Sequence, residues 1–131
     1  MSWGISIVLL ALFNCRGKKS SFPKLQLLAH SVRSEKGRED MRALLQGRLR
    51  VTDISVRVEP WLNRAVNYAH GLRLVDVTKG KSVKLTVEGK KVVTSLNSKD
   101  VLQTEREFLS DLGRQMTEHH VTAIWRMEDL L

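Results

Sequence analysis

The chain has 131 residues, which favours one packed domain. Apolar residues (42%) and charged residues (27%) lie near globular averages, so a disordered or fibrous chain is excluded. One cysteine excludes an internal disulfide framework and a multi-cysteine zinc site, and the net charge of +8 points to an acidic partner such as nucleic acid or an acidic protein face.

The charge is unevenly placed. Residues 1–65 carry a net +7, residues 66–98 a net +4 and residues 99–131 a net −3. A basic body is followed by a mildly acidic tail, which suggests two surfaces with different partners.

Residues 3–14 read as a buried helix. Nine of the eleven residues from Trp3 to Phe13 are apolar. No Lys or Arg precedes GISIVLLALF and no small-residue cleavage site follows it, so a signal peptide is not expected. The run is too short to span a bilayer, which takes about 20 apolar residues. No membrane partner is expected, and a reducing cytoplasm is the expected location. A helix apolar on every side must be covered on every side. In so small a domain, that suggests a second protein as cover.

CRGKKSSFP reads as a polar connection, with Pro23 suited to the first turn of a helix. Leu25, Leu28, Ala29 and Val32 then share one helical face. SEKGRED interrupts the pattern. A third helix follows, with Met41, Leu44 and Leu45 inward and an end near Gly47.

Residues 53–58 alternate, with Ile54, Val56 and Val58 separated by Ser55 and Arg57, which predicts a half-buried strand. Glu59-Pro60 opens a helix through about His70, with Leu62, Ala65, Ala69 and Leu72 on its apolar side. Gly71 fits a left-handed C-terminal cap. Leu72 to Val77 and Val83 to Leu85 predict two strands joined by the basic turn Thr78-Lys79-Gly80-Lys81. Thr86 is placed to N-cap a further helix, with Glu88 in its first turn, burying Val87, Val92 or Val93, and Leu96.

Helix, hairpin, Thr cap and helix in that order resemble a winged-helix domain. The motif Leu85-Thr86-Val87-Glu88-Gly89-Lys90 is similar to the LTxxGK/R helix start of that superfamily. The expected fold is α+β, mostly α: a winged-helix-like domain over 1–98 and a helical extension over 99–131. One feature departs from the pattern. A helix-turn-helix joins its helices by a tight turn. Here a strand near 53–58 is expected between the helix ending at Gly47 and the one starting at Pro60.

The tail reads as two helices. Val101, Leu102, Phe108, Leu109 and Leu112 lie on one side of the first, which Gly113 closes. Thr117 caps the second, where Val121, Ile124, Trp125 and Leu131 form a stripe. Both stripes are expected to fold back, pair with a second copy or hold a partner.

No catalytic constellation is legible. KGK at 79–81 lacks the glycine spacing of a phosphate loop. His119 and His120 project about 100° apart on a helix, poorly placed to share a metal. Cys15 lacks a partner base and reads as a packing residue. No enzyme activity, cofactor or metal is expected. The candidate nucleic-acid contacts are Asn63, Arg64, Asn67 and Arg73 on or beside the candidate recognition helix, Lys79, Lys81 and Lys84 on the wing, and Lys90 and Lys91 on the next helix. Arg and Asn can read base edges, and wing lysines can hold phosphate.

The stretch VRVEPWLNRAVNYAHGLRLVDVTKGKSVKLTVEGKKVV carries a more particular resemblance. A strand, Pro-x-Leu-Asn-Arg-Ala, a helix ending in Gly-Leu, a wing and LTxxGK are similar to the small middle components of bacterial three-component ATPase defence systems, among them the Lamassu type. FLSDLGRQMTEHHVTAIW resembles the C-terminal helices of those subunits. The similarity covers about residues 50–127. It implies a non-catalytic accessory subunit that docks on a coiled-coil, SMC-like ATPase and on a separate effector; the basic wing is then expected to meet either double-stranded DNA held by the ATPase or acidic patches on the ATPase itself. The expected partner surfaces are Ile5, Leu9, Leu12 and Phe13 on the first helix and Phe108, Leu112, Ile124 and Trp125 on the tail. On this reading the chain alone is expected to be poorly soluble. The rival expectation is a free-standing winged-helix transcription regulator.

Overall fold

The computed structural model describes residues 2–79 and 82–130, with side chains described through Arg126. Among these residues the chain forms seven α-helices and one three-stranded antiparallel sheet, an α+β fold that is mostly helical.

The first helix, α1 (Trp3–Phe13), starts at Ser2, whose hydroxyl accepts the Ile5 N–H at 3.3 Å. At the other end, Asn14 Nδ2 donates to the Leu10 carbonyl and Lys18 Nζ to the Phe13 carbonyl, so the last turn is satisfied. Every residue from Ile5 to Leu12 is buried. The cover comes from the chain itself: α1 packs against helices on several sides and against the sheet.

A strand follows where a plain connection was expected. β1 (Lys19–Ser21) enters the sheet, and Ser21 then caps α2 (Phe22–Val32) by accepting the Lys24 N–H at 3.2 Å. The predicted apolar face of α2 is buried, together with Leu27. The pattern of α2 breaks at Arg33-Ser34, as expected, and the rest of SEKGRED already belongs to the next helix. Ser34 accepts the Gly37 N–H, and α3 runs Glu35–Leu45. Gly47, at φ 77°, closes it: its N–H donates to Leu44 and the Arg48 N–H to Ala43.

The predicted strand at 53–58 is a correction. A 3₁₀ turn (Val51–Asp53) leads into an extended segment that joins no sheet. The alternation is still real, since Ile54 and Val56 are buried while Ser55 and Arg57 are exposed. A half-buried extended segment produces the same period of two without a ladder partner in the sheet. Val58 is exposed.

Helix α4 (Pro60–Gly71) buries Leu62, Ala65, Val66 and Ala69. Leu72 is exposed, and Gly71 is not the left-handed cap. Arg73 takes that conformation at φ 62°, with the Leu74 N–H donating to Ala69 and the Arg73 N–H to His70. Strands β2 (Val75–Thr78) and β3 (Ser82–Leu85) form the hairpin, and the sheet order is β1-β3-β2.

Thr86 caps α5 (Val87–Asn97) by accepting the Gly89 N–H at 3.0 Å. Gly89 is required by close approach, because a Cβ there would collide with the Leu74 carbonyl oxygen. Val93 is buried and Val87 is exposed, so the helix turns its first residue outward.

Helices α6 (Gln103–Leu112) and α7 (Glu118–Leu130) complete the chain. Gly113 is in right-handed helical conformation; its lack of a side chain admits the Asn14 backbone, whose oxygen would lie 2.6 Å from a Cβ. Phe108, Leu109, Leu112, Met116, Val121 and Ile124 belong to the same apolar cluster as α1 and α2. One core therefore runs through both the first 98 residues and the tail. The expected position of Leu131 lies outside the described residues.

Candidate nucleic-acid interface

Helix α4 is held at its start by Glu59. This carboxylate is buried, accepts from Arg33 Nη1 at 2.9 Å, and lies 3.4 Å from His30 Nδ1. The Glu59 N–H donates to Gln26 Oε1 at 2.9 Å. Gln26 and His30 of α2 and Arg33 just past its end thus fix the start of α4, although residues 33–59 separate the two helices in sequence. Along the rest of α4, Asn63, Arg64 and Asn67 are all exposed, as is Tyr68. The apolar face packs on α1, where Gly4 meets the Trp61 ring and Ala65.

The sheet presents a second polar surface. Register places Lys19, Lys84 and Asp76 in one row across the three strands, all exposed. The next row is Ser21, Ser82 and Thr78. The opposite face turns Ser20, Val83, Leu85 and Val75 into the core. Lys79 is exposed at the wing, at φ 41°. Lys81 lies outside the described residues. Arg73 is exposed between α4 and the hairpin, with its carbonyl accepting the Thr86 hydroxyl at 2.8 Å.

Lys90 and Lys91 are exposed on α5, and Lys91 Nζ is paired with Glu88 at 3.2 Å. They stand on a different helix from Asn63, Arg64 and Asn67. The structure thus brings the predicted residues into three groups: the outer face of α4, the wing with the open face of the sheet, and the first turn of α5. Sequence reading missed Lys19, which completes the basic row with Lys84. A three-residue strand carries too little alternation to reveal itself. It also missed Asp76, which sits beside Lys84 and offsets part of its charge.

The predicted partner surfaces need correction. Ile5, Leu9, Leu12, Phe108, Leu112 and Ile124 are buried in the core, and Phe13 and Trp125 pack partly buried against it. Trp125 Nε1 donates to the Pro23 carbonyl at 3.0 Å. Each apolar stripe of the tail has found α1 or α2, so the six buried side chains offer no free docking face. Because the chain itself covers α1, poor solubility of the lone chain does not follow from that helix.

The chemistry-bearing side chains have structural engagements. Cys15 is buried, and desolvation raises its thiol pKa above the ordinary value, opposed by the nearby Lys24 charge. A neutral, enclosed thiol is a packing group. His120 works as a cap: the Thr117 N–H donates to its Nδ1 at 3.2 Å, and Thr117 Oγ1 accepts the His120 N–H at 3.3 Å. Exposed Asn and Arg on one helix face can donate to base edges, and the exposed lysines on the other elements to phosphate oxygens.

Among the described residues, no helix is long and apolar enough to cross a membrane. No known protein family, curated protein or solved structure matches this chain.

Proposed function

We propose that the chain is a non-catalytic DNA-binding protein of winged-helix type, with α4 as the recognition helix and the β2–β3 hairpin as the wing. The order α1, β1, α2, α4, β2, β3 and the sheet order β1-β3-β2 support that fold, with α3 and residues 46–59 as an insertion before α4. The carrying observation is the outward face of α4. It leaves Asn63, Arg64 and Asn67 free while Glu59 fixes the helix against α2. In this reading Arg64 and Asn67 contact base edges, and Lys79 and Lys84 hold backbone phosphates.

On the resemblance of residues 50–127, we further propose that it acts as the accessory subunit of a bacterial defence complex in the cytoplasm, beside a coiled-coil SMC-like ATPase and an effector. The docking face then differs from the one expected at first. Tyr68 and Leu72 are one turn apart on α4, and Val87 opens α5; all three are exposed apolar side chains. The alternative is a free-standing transcription regulator.

The test is fluorescence anisotropy of the purified chain with random-sequence duplexes over a salt series. The reading expects affinity to fall steeply with salt. Exchanging Lys79 and Lys84 for Glu is expected to weaken binding across all sequences and to flatten the salt slope by about 1 per lost phosphate contact. An unchanged slope removes the wing from the interface. Strong preference for one operator by the isolated chain favours the regulator, and co-purification with an ATPase through Tyr68 and Leu72 favours the subunit.

A further inference from the structure

A second basic site lies on the β1 side of the sheet. A cleft of 580 Å³ opens between the Cys15–Ser21 segment and the start of α7, and Arg16, Lys19, Lys24 and Arg114 line it. One carboxylate, Glu118, shares the cleft and is held by the Ser21 hydroxyl at 3.0 Å. Four cations thus face one anion.

Lys24 is the decisive member. It is only 7% exposed, and its ammonium donates to the Gly113 carbonyl at 2.6 Å. Among the described residues no carboxylate lies within ion-pair distance of it. The Gly113 carbonyl and the Cys15 sulfur satisfy donors of Lys24 but not its charge, and buried charges are ordinarily paired. The neighbouring Cys15 does not supply that charge, because burial keeps its thiol protonated.

We propose that this cleft is a phosphate-binding site. A phosphate group presents several acceptor oxygens and up to two negative charges, which suits ammonium and guanidinium donors converging from different elements. A single carboxylate would leave the excess of three positive charges largely uncompensated. Ser82, on the wing strand, also lines the cleft, so it adjoins the open face of the sheet. The phosphate comes either from a nucleic-acid backbone or from a free phosphomonoester. The site stands on its own geometry and does not depend on α4 reading DNA.

Amide NMR of the full chain, titrated with inorganic phosphate against chloride at matched ionic strength, tests this. Saturable shifts are expected over residues 16–21 and 113–118. Exchange of the exposed Lys19 and Arg114 for Glu is expected to weaken the apparent affinity at least about tenfold. Arg64→Ala should leave these shifts unchanged, which separates this site from the α4 interface. A short DNA duplex that moves the same amides, in competition with inorganic phosphate, identifies the backbone as the source. Phosphate shifts without duplex shifts identify a free phosphate compound. The absence of saturable shifts with both probes overturns the site, as does a folded Lys19→Glu/Arg114→Glu chain that binds phosphate like the parent.

Discussion

Helices α1 and α4 pack against each other, yet they spend their side chains in opposite ways. Every residue of α1 from Ile5 to Leu12 is enclosed, whereas α4 buries Leu62, Ala65, Val66 and Ala69 and turns Asn63, Arg64, Asn67 and Tyr68 outward. The first helix is the axle of the core, and the second is a surface element held by one stripe. The difference teaches where change is tolerated. Substitution on α1 is expected to act on stability, and, on the proposed function, substitution on the outer face of α4 on recognition.

The sharpest way to break this contrast is Leu9→Ala, since Leu9 is fully buried. It should lower the unfolding free energy by about 2–5 kcal/mol in urea titration. A loss below about 1 kcal/mol would mean that α1 is not the packed centre. Gly89→Ala comes next, because the new Cβ meets the Leu74 carbonyl. A loss of about 1–3 kcal/mol is expected from overpacking, and an unchanged midpoint would deny the close approach of α5 to the hairpin.

Arg64→Ala probes the other side of the contrast. Its stability effect should stay within about 0.5 kcal/mol. Its effect on duplex binding should reach about 1–3 kcal/mol, with relaxed preference at one base position. Equal loss of folding and binding would erase the distinction between the two helices.

Arg73→Gly sharpens the boundary between α4 and the wing. Arg73 holds φ 62°, a conformation that disfavours a side chain by about 1–2 kcal/mol. Glycine should therefore raise thermal stability slightly, while removal of the guanidinium weakens nucleic-acid binding. The smallest expected effect is the pH dependence contributed by Cys15. Its folded-state pKa is raised, mainly by desolvation. The unfolded thiol releases its proton first, so the stabilising contribution is present below about pH 8.5 and fades as pH rises beyond that. A Cys15→Ala chain should show a flatter decline in that alkaline range.

Much of the fold was legible because local periodicity and caps carry it. Residues 3–14 read as a buried helix on composition, one residue longer than α1, Pro60 marked the start of α4, and Thr86 marked the start of α5. The hairpin was legible from Val75 or Val77 before a turn-forming tetrapeptide and Val83 and Leu85 after it. β1 was not, because Lys19–Ser21 is too short for a pattern and exists only by pairing with Ser82–Lys84. The segment at 53–58 misled for the complementary reason. Alternating burial of Ile54 and Val56 reports contact with a core on one side and does not require a sheet.

The exposed candidates on α4 were identifiable, since a helix with one apolar stripe must turn its polar residues away. The candidates on α1 and the tail were not, since an apolar side chain looks the same whether its cover is internal or external.

The sequence alone determined most of the helical segments, the Thr86 and Thr117 caps and the basic character of the body, because these depend on residues close together in the chain. Tertiary structure decided the rest. It made the tail the lid of α1, anchored α4 through Glu59, and gathered Arg16, Lys24 and Arg114 around one cleft. Those outcomes depend on which apolar surfaces meet, and the free energy of burial records the area removed from water without regard to separation along the chain.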